Sequence, residues 1–187
     1  ATSVAIMSAK AGVDIFPVDI GVNNDFPAEL HAKGLIDRKI AYGTKNMVQE
    51  PAMTEAEAVQ AIEVGLNLAV ALAEQGYNIL ATGEMGIGNT TSSSAILSVL
   101  LDEPVEKMTG IGSGLTRAGI QRKQQAIATA IAKHRPDAQK PLDVLAKVGG
   151  LDIAGLVGVF LGGALCGVPV LIDGVISGAA ALLAQRL

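Results

Sequence analysis

Ile153 to Ile172, IAGLVGVFLGGALCGVPVLI, runs for twenty residues without a charge. A membrane-spanning helix needs about 20 such residues, so this stretch constrains the fold more than any other. Pro169 breaks the helical pattern near its end, because proline has no amide hydrogen and its ring clashes with the preceding turn. VPVLID then has the continuous apolar character of a strand buried on both faces. A helix followed by a strand accounts for the run without lipid, and no membrane association is expected. The beginning of the sequence lacks a basic stretch leading into a continuous apolar segment, so no signal peptide is expected either.

The rest of the chain alternates in the same way. Apolar residues make up 50% of the 187 residues, aromatics only 3%, and 22 are glycine. That mixture suits strands separated by Ala/Gly-lined helices in one domain, with no staple needed. Val13 to Ile20 reads as a strand with Pro17 awkwardly placed, and 22–53 as a long irregular excursion of the kind usually packed over a site. Thr54-Glu55-Ala56-Glu57 is a capping-box pattern. Behind it Ala58, Ala61, Ile62, Gly65, Leu66, Ala69 and Leu72 follow helical spacing, with Gly76 placed to stop the helix. Tyr77 to Ala81 reads as a strand, 91–101 as a helix, 115–134 as a helix ended by Pro136, and 142–148 as a short helix. After Gly149-Gly150 come the apolar helix, the VPVLID strand and a last helix opened by Gly174. The expected fold class is α/β, a parallel β-sheet with helices on both faces and a Rossmann-like three-layer core.

In such a sheet the ligand crevice lies beyond the carboxyl ends of the strands, at the loops that open helices. The stretch 83–94, GEMGIGNTTSSS, occupies such a turn. Gly86 and Gly88 allow close approach of backbone to a ligand, and Asn89, Thr90 and Thr91 offer caps and donors beside helix N–H groups. This chemistry suits a phosphate or a ribose, or else a tight strand-to-helix turn with a hydroxyl cap. No Gly-Lys-Ser/Thr follows, and the glycine order is not G-x-G-x-x-G, so neither a P-loop nor a dinucleotide fingerprint is present. Glu84 is unfavourable beside a phosphate unless it bonds ligand hydroxyls or a cation. Asp19 and Asp173 end the other two strand candidates and either converge on the same edge or cap neighbouring turns. The glycine loop 109–114, TGIGSG, precedes a helix on which Ile120, Lys123, Ile127 and Ile131 share one stripe. Lys123 must therefore either meet an anion or extend its ammonium to the rim.

Other candidates are weaker. Arg117 and Arg122 read as solvated, and His134, near a helix end, as a partner for the helix dipole. Cys166 reads as a packed thiol, and Met85 as buried or touching a ligand. Two histidines and one cysteine cannot build a Cys/His metal cluster, so no metal is expected. A net charge of −4 without a basic run argues against nucleic acid. The single cysteine fits a reducing, cytoplasmic setting.

GTKNMVQEPAMTEAEA at 43–58, GEMGIGNTTSSSA at 83–95, GIGSG at 110–114, VGGLDIAGLVG and VPVLIDG together resemble the nicotinate-nucleotide:dimethylbenzimidazole phosphoribosyltransferase family, over essentially the whole chain. The resemblance implies a cytoplasmic, homodimeric enzyme that needs no cofactor. It would transfer phosphoribosyl from nicotinate mononucleotide to 5,6-dimethylbenzimidazole, giving nicotinate and α-ribazole 5′-phosphate for cobalamin assembly. Carried over by motif, the expected ligand contacts are Glu84, Gly86, Gly112, Lys123 and Asp173, with Gly88, Asn89 and Thr90 beside them. The resemblance is to the central portion of a family nearly twice this length. It places much of the benzimidazole pocket before residue 1 and the general-base glutamate beyond Leu187. No catalytic residue is therefore assigned in this chain, and little or no transfer is expected from it alone.

Overall fold

The computed structural model describes residues 3–112 and 114–187. In chain order these residues form α1 (Ser3–Ala11), β1 (Val18–Asp19), α2 (Ala28–Ala32), β2 (Ile36–Asp37), α3 (Glu55–Glu74), β3 (Leu80–Ala81), α4 (Asn89–Leu101), α5 (Val105–Met108), α6 (Arg117–His134), α7 (Pro141–Val148), α8 (Leu151–Cys166), β4 (Val170–Leu171) and α9 (Val175–Arg186). The result is a mostly helical α/β structure with two small parallel ladders, β1 beside β2 and β3 beside β4. The single sheet covered on both faces is not what the described residues form.

The strands are shorter than expected. Val13 to Pro17 makes no ladder; pairing begins at Val18, opposite Ile36. Of Tyr77 to Ala81 only Leu80 and Ala81 pair, opposite Val170 and Leu171. The excursion 22–53 contains α2 and β2, which sequence pattern did not indicate. Lys39 organises its beginning: its ammonium lies 2.6 Å from Asp19 Oδ2 and donates to the carbonyls of Val22 and Asn24. At its other end the Lys133 ammonium donates to the carbonyls of Val48 and Gln49, and His134 Nε2 lies 2.7 Å from the Met47 carbonyl. His134 therefore fastens this excursion to the end of α6.

Helices α3 and α8 form the spine. Thr54 accepts from the Glu57 amide while Glu57 accepts from the Thr54 amide, so both partners of the capping box are present. The helix stops in a Schellman arrangement, with Gly76 at φ +94° and the amides of Gly76 and Tyr77 donating to Ala73 and Leu72. Removing the Thr54 hydroxyl by Thr54→Ala is expected to cost about 1 kcal/mol in chemical denaturation at pH 7. The bonds from the Thr54 amide and hydroxyl lower the Glu57 pKa from its ordinary 4.5 against the opposing effect of burial. The contribution is thus complete above that value and is lost as pH falls through the lowered one, so the variant's deficit should shrink in strongly acidic buffer.

Glycines bring the two helices unusually close. A Cβ at Gly65 would overlap the Gly155 carbonyl oxygen and stand 2.9 Å from the Val159 amide nitrogen. A Cβ at Gly158 would overlap the Ile62 carbonyl and stand 2.7 Å from the Leu66 nitrogen. Among the described residues α3 is the one helix long and apolar enough to cross a membrane, and here its small-residue stripe is packed along α8. The apolar run from Ile153 divides as expected, into helix to Cys166, a turn at Gly167 with φ +68°, and β4. Cys166, however, is exposed rather than packed, because it is the last residue of α8, where the chain turns away at Gly167. Around the spine, α4, α7 and α9 close a core that includes Ile96, Ile127, Leu145, Ile153 and Leu183, each fully buried.

Candidate functional site

The turn between β3 and α4 brings most of the expected residues together. Gly88 is the N-cap of α4 at φ +86° and supplies no side-chain cap bond, so the first amides of a 13-residue helix are left to the turn itself and to any ligand. Glu84 Oε2 accepts from the Gly86 amide at 3.0 Å and also from Asn89 Nδ2. Its other oxygen makes no bond among the described residues. Met85 and Ile87 on either side are 90% and 104% exposed, which overturns burial as one of the two readings of Met85: at a turn this tight alternate side chains are thrown outward.

Lys123 lies one helix away and completes the second half of the site. It is only 7% exposed, in the stripe that buries Ile127 fully. Its ammonium donates to Thr90 Oγ1 at 2.9 Å and makes no ion pair among the described residues. Burial pushes its pKa down, as expected for a cation taken from water without an anion to replace the lost hydration. A Cβ at Gly112 would sit 3.3 Å from Thr90 Oγ1 and 3.7 Å from Lys123 Nζ, so the second glycine loop borders the same ammonium. Gly112 adopts φ +58°. Ser113, in the same motif, lies outside the described residues. Arg117 and Arg122 are exposed, as expected.

The acids divide. Asp19 is buried at 2% exposure, on the β1–β2 ladder rather than the β3–β4 one. Burial raises its pKa, but the Lys39 ammonium and the amides of Val22 and Gly21 outweigh that and hold it below the usual carboxylate value. It caps the turn into the excursion, so the three strand-end carboxylates do not share one ladder. Asp173 is exposed at the end of β4. Its amide donates to Ser177 Oγ at 3.3 Å, Ser177 and Thr82 hydroxyls lie 2.6 Å apart, and Thr82 Oγ1 donates to the Leu171 carbonyl. Thr82 spends its one proton on that carbonyl, so Ser177 must donate to Thr82 while accepting from Asp173. This chain of hydroxyls, which sequence pattern did not indicate, ties the ends of β3 and β4 to α9. Ser177→Ala leaves a half-buried Thr82 oxygen and the Asp173 amide without a partner, and should cost about 1–3 kcal/mol in thermal or urea unfolding.

Asp152 was also missed. Its Oδ2 accepts from Asn89 Nδ2 at 2.7 Å, which joins the start of α8 to the glycine turn. The acid in a first helical turn reads simply as a complement to the helix dipole; only the GGLD pattern directly before an apolar helix marked the position. No group of three or more His, Cys, Asp or Glu that could hold a metal ion occurs among the described residues.

A family model described as Phosphoribosyltransferase matches residues 1–187. The nicotinate-nucleotide--dimethylbenzimidazole phosphoribosyltransferase of Clostridium acetobutylicum is 48% identical over 186 residues, covering 100% of this chain and 52% of its own length. That of Acetivibrio thermocellus is 49% identical, with the same coverage. The crystal structure of CobT from Thermus thermophilus matches with a TM-score of 0.91 at 37% identity, over 99% of this chain and 54% of that one. The chain thus spans about half the length of the curated relatives it matches.

Proposed function

We propose that this chain, which belongs to the phosphoribosyltransferase family, holds the phosphoribosyl group of nicotinate mononucleotide for transfer to 5,6-dimethylbenzimidazole, giving α-ribazole 5′-phosphate and nicotinate in cobalamin assembly. The observation that carries this reading is the buried Lys123 ammonium, bonded to Thr90 and bordered by Gly112, with no acid paired to it among the described residues. A 5′-phosphate there would supply the missing counter-charge and take donors from Lys123 and the start of α4. The unpartnered oxygen of Glu84 is an acceptor for a ribose hydroxyl, and Asp173 contacts the ribose or the incoming base. The names of the relatives supply the substrates.

In the reaction the bond from C1′ to the nicotinate nitrogen breaks and one from C1′ to a benzimidazole nitrogen forms, with inversion. The electron pair of the broken bond leaves with nicotinate, and the proton of the benzimidazole nitrogen passes to a general base. This chain's part is positioning, which converts an encounter of two bases at C1′ into an ordered displacement. The base is proposed to be a glutamate in the part of the family's length that this chain does not cover, and none of the acids described above is assigned that role. No resident cofactor or metal enters this scheme. A cytoplasmic homodimer completes the proposal; exposed apolar side chains such as Val4, Ile6 and Met7 on α1, whose residues include none that is buried, support a covering partner surface.

The test is to incubate the chain with nicotinate mononucleotide and dimethylbenzimidazole and to separate the products by chromatography, beside a chain of the relatives' full length. Transfer by the long chain, and binding with little transfer by this one, is expected. Unchanged nicotinate mononucleotide in both would sink the assignment.

A further inference from the structure

We propose that Asp152 is a positioning residue, which fixes the Glu84 carboxylate through the side-chain amide of Asn89. Asn89 is 8% exposed, and its amide carries two hydrogens. One goes to Glu84 Oε2 and the other to Asp152 Oδ2. The amide is therefore saturated by two carboxylates from distant parts of the chain, and its rotation is locked from both sides. Without Asp152, one hydrogen would lose its acceptor and the amide could turn away from Glu84.

The neighbouring glycines are explained by the same carboxylate. A Cβ at Gly86 would overlap Asp152 Oδ2 and stand 2.6 Å from Asn89 Nδ2; one at Gly150 would stand 2.7 Å from Asp152 Oδ1. Asp152 thus occupies the space that a side chain at either position would need. Gly86 is required here for close approach, since its φ lies outside the left-handed region. Through this wedge, the start of α8 sets the shape of the turn that carries Glu84 and opens α4. The consequence is that Glu84 presents its free oxygen in a fixed direction relative to the Lys123–Thr90 pair, whose Thr90 directly follows Asn89.

The binding part of the test rests on the phosphoribosyl reading above; the spectroscopic part does not. In the ¹⁵N-labelled chain, the Asn89 side-chain amide pair is assigned by its loss in Asn89→Asp. Asp152→Asn, which keeps shape and removes charge, should move both resonances, and Asp152→Ala should move them further. If Asp152→Ala does not fold, Asp152→Asn still decides. Nicotinate mononucleotide affinity should then fall about tenfold in Asp152→Asn, but less than about twofold when the same change is made in a Glu84→Gln background, because the two residues act as one unit. An Asn89 pair that does not move in Asp152→Asn, or an equal loss of affinity in both backgrounds, overturns the proposal. Absence of nicotinate mononucleotide binding in the unmodified chain would instead count against the phosphoribosyl reading, while the amide resonances continue to decide the role of Asp152.

Discussion

Replacing Gly65 by alanine is expected to lower the melting temperature of this chain by about 10 °C. Alanine improves helix propensity by about 1 kcal/mol. That gain is outweighed, because the added carbon would overlap the Gly155 carbonyl and crowd the Val159 nitrogen. Backbone atoms of a packed helix cannot rotate aside as a side chain can, so α3 and α8 must separate along much of their shared length. Overpacking in rigid surroundings costs about 1–3 kcal/mol, or more where backbone must move; a net loss of about 3 kcal/mol corresponds to the shift stated, at roughly 2–4 °C per kcal/mol for this size of domain. Gly178→Ala in α9 is the control. Nothing lies within 4 Å of a Cβ there, so the propensity term acts alone and the melting temperature should hold or rise. Equal effects at the two positions in a calorimetric melt would show that α3 and α8 do not pack as described.

Lys123→Met should leave stability intact or raise it while greatly weakening ligand affinity. The lysine is buried with a single hydroxyl for a partner, and its pKa is lowered from the ordinary 10.5 by burial. The unfolded chain therefore binds the proton more readily than the folded one. Where pH lies between the lowered folded value and 10.5, stability rises with pH; below that interval the charged lysine imposes a constant cost. Methionine, of similar length and apolar, removes that cost, so the variant should be no less stable than the unmodified chain at pH 7 and should lose the alkaline rise. Its affinity for nicotinate mononucleotide should fall by about a hundredfold or more, as for a charge-assisted bond lost from a desolvated site. Unfolding curves between pH 7 and pH 10 and a titration at pH 7 read both effects. A destabilised variant that binds normally would mean that Lys123 is a structural residue.

The two predictions also mark what was legible in the sequence. The stripe that contains Gly65 follows from helical spacing, and the capping box at Thr54 and Glu57 from a four-residue pattern, because both are local. That Gly65 faces Gly155 is not local: the glycines of α8 have no assigned partner until the packing of the two helices is known. Lys123 was found because a charge on an apolar stripe is a local contradiction. Its partner Thr90 lies 33 positions away, and only tertiary structure joins them.

The same distinction explains the differences. β1 and β2 are two-residue strands stabilised by each other and by Lys39, too short to leave a pattern of alternation. Asp19 looks like a strand-end carboxylate and is one, yet Lys39 engages it on a separate ladder. Asp152 and Ser177 left no local contradiction at all, since an acid in a first turn and a serine in an Ala-rich helix are ordinary. Both became visible only through the bonds they make across the chain.

The most direct measurement is a calorimetric titration of the folded 187-residue chain with nicotinate mononucleotide, beside nicotinate alone. Saturable one-site binding of the mononucleotide, with none by nicotinate, is the predicted result, because the phosphoribosyl group supplies the contacts at Lys123, Thr90 and Glu84. A folded chain that binds neither, or both equally, would contradict the placement of the phosphoribosyl site at the start of α4.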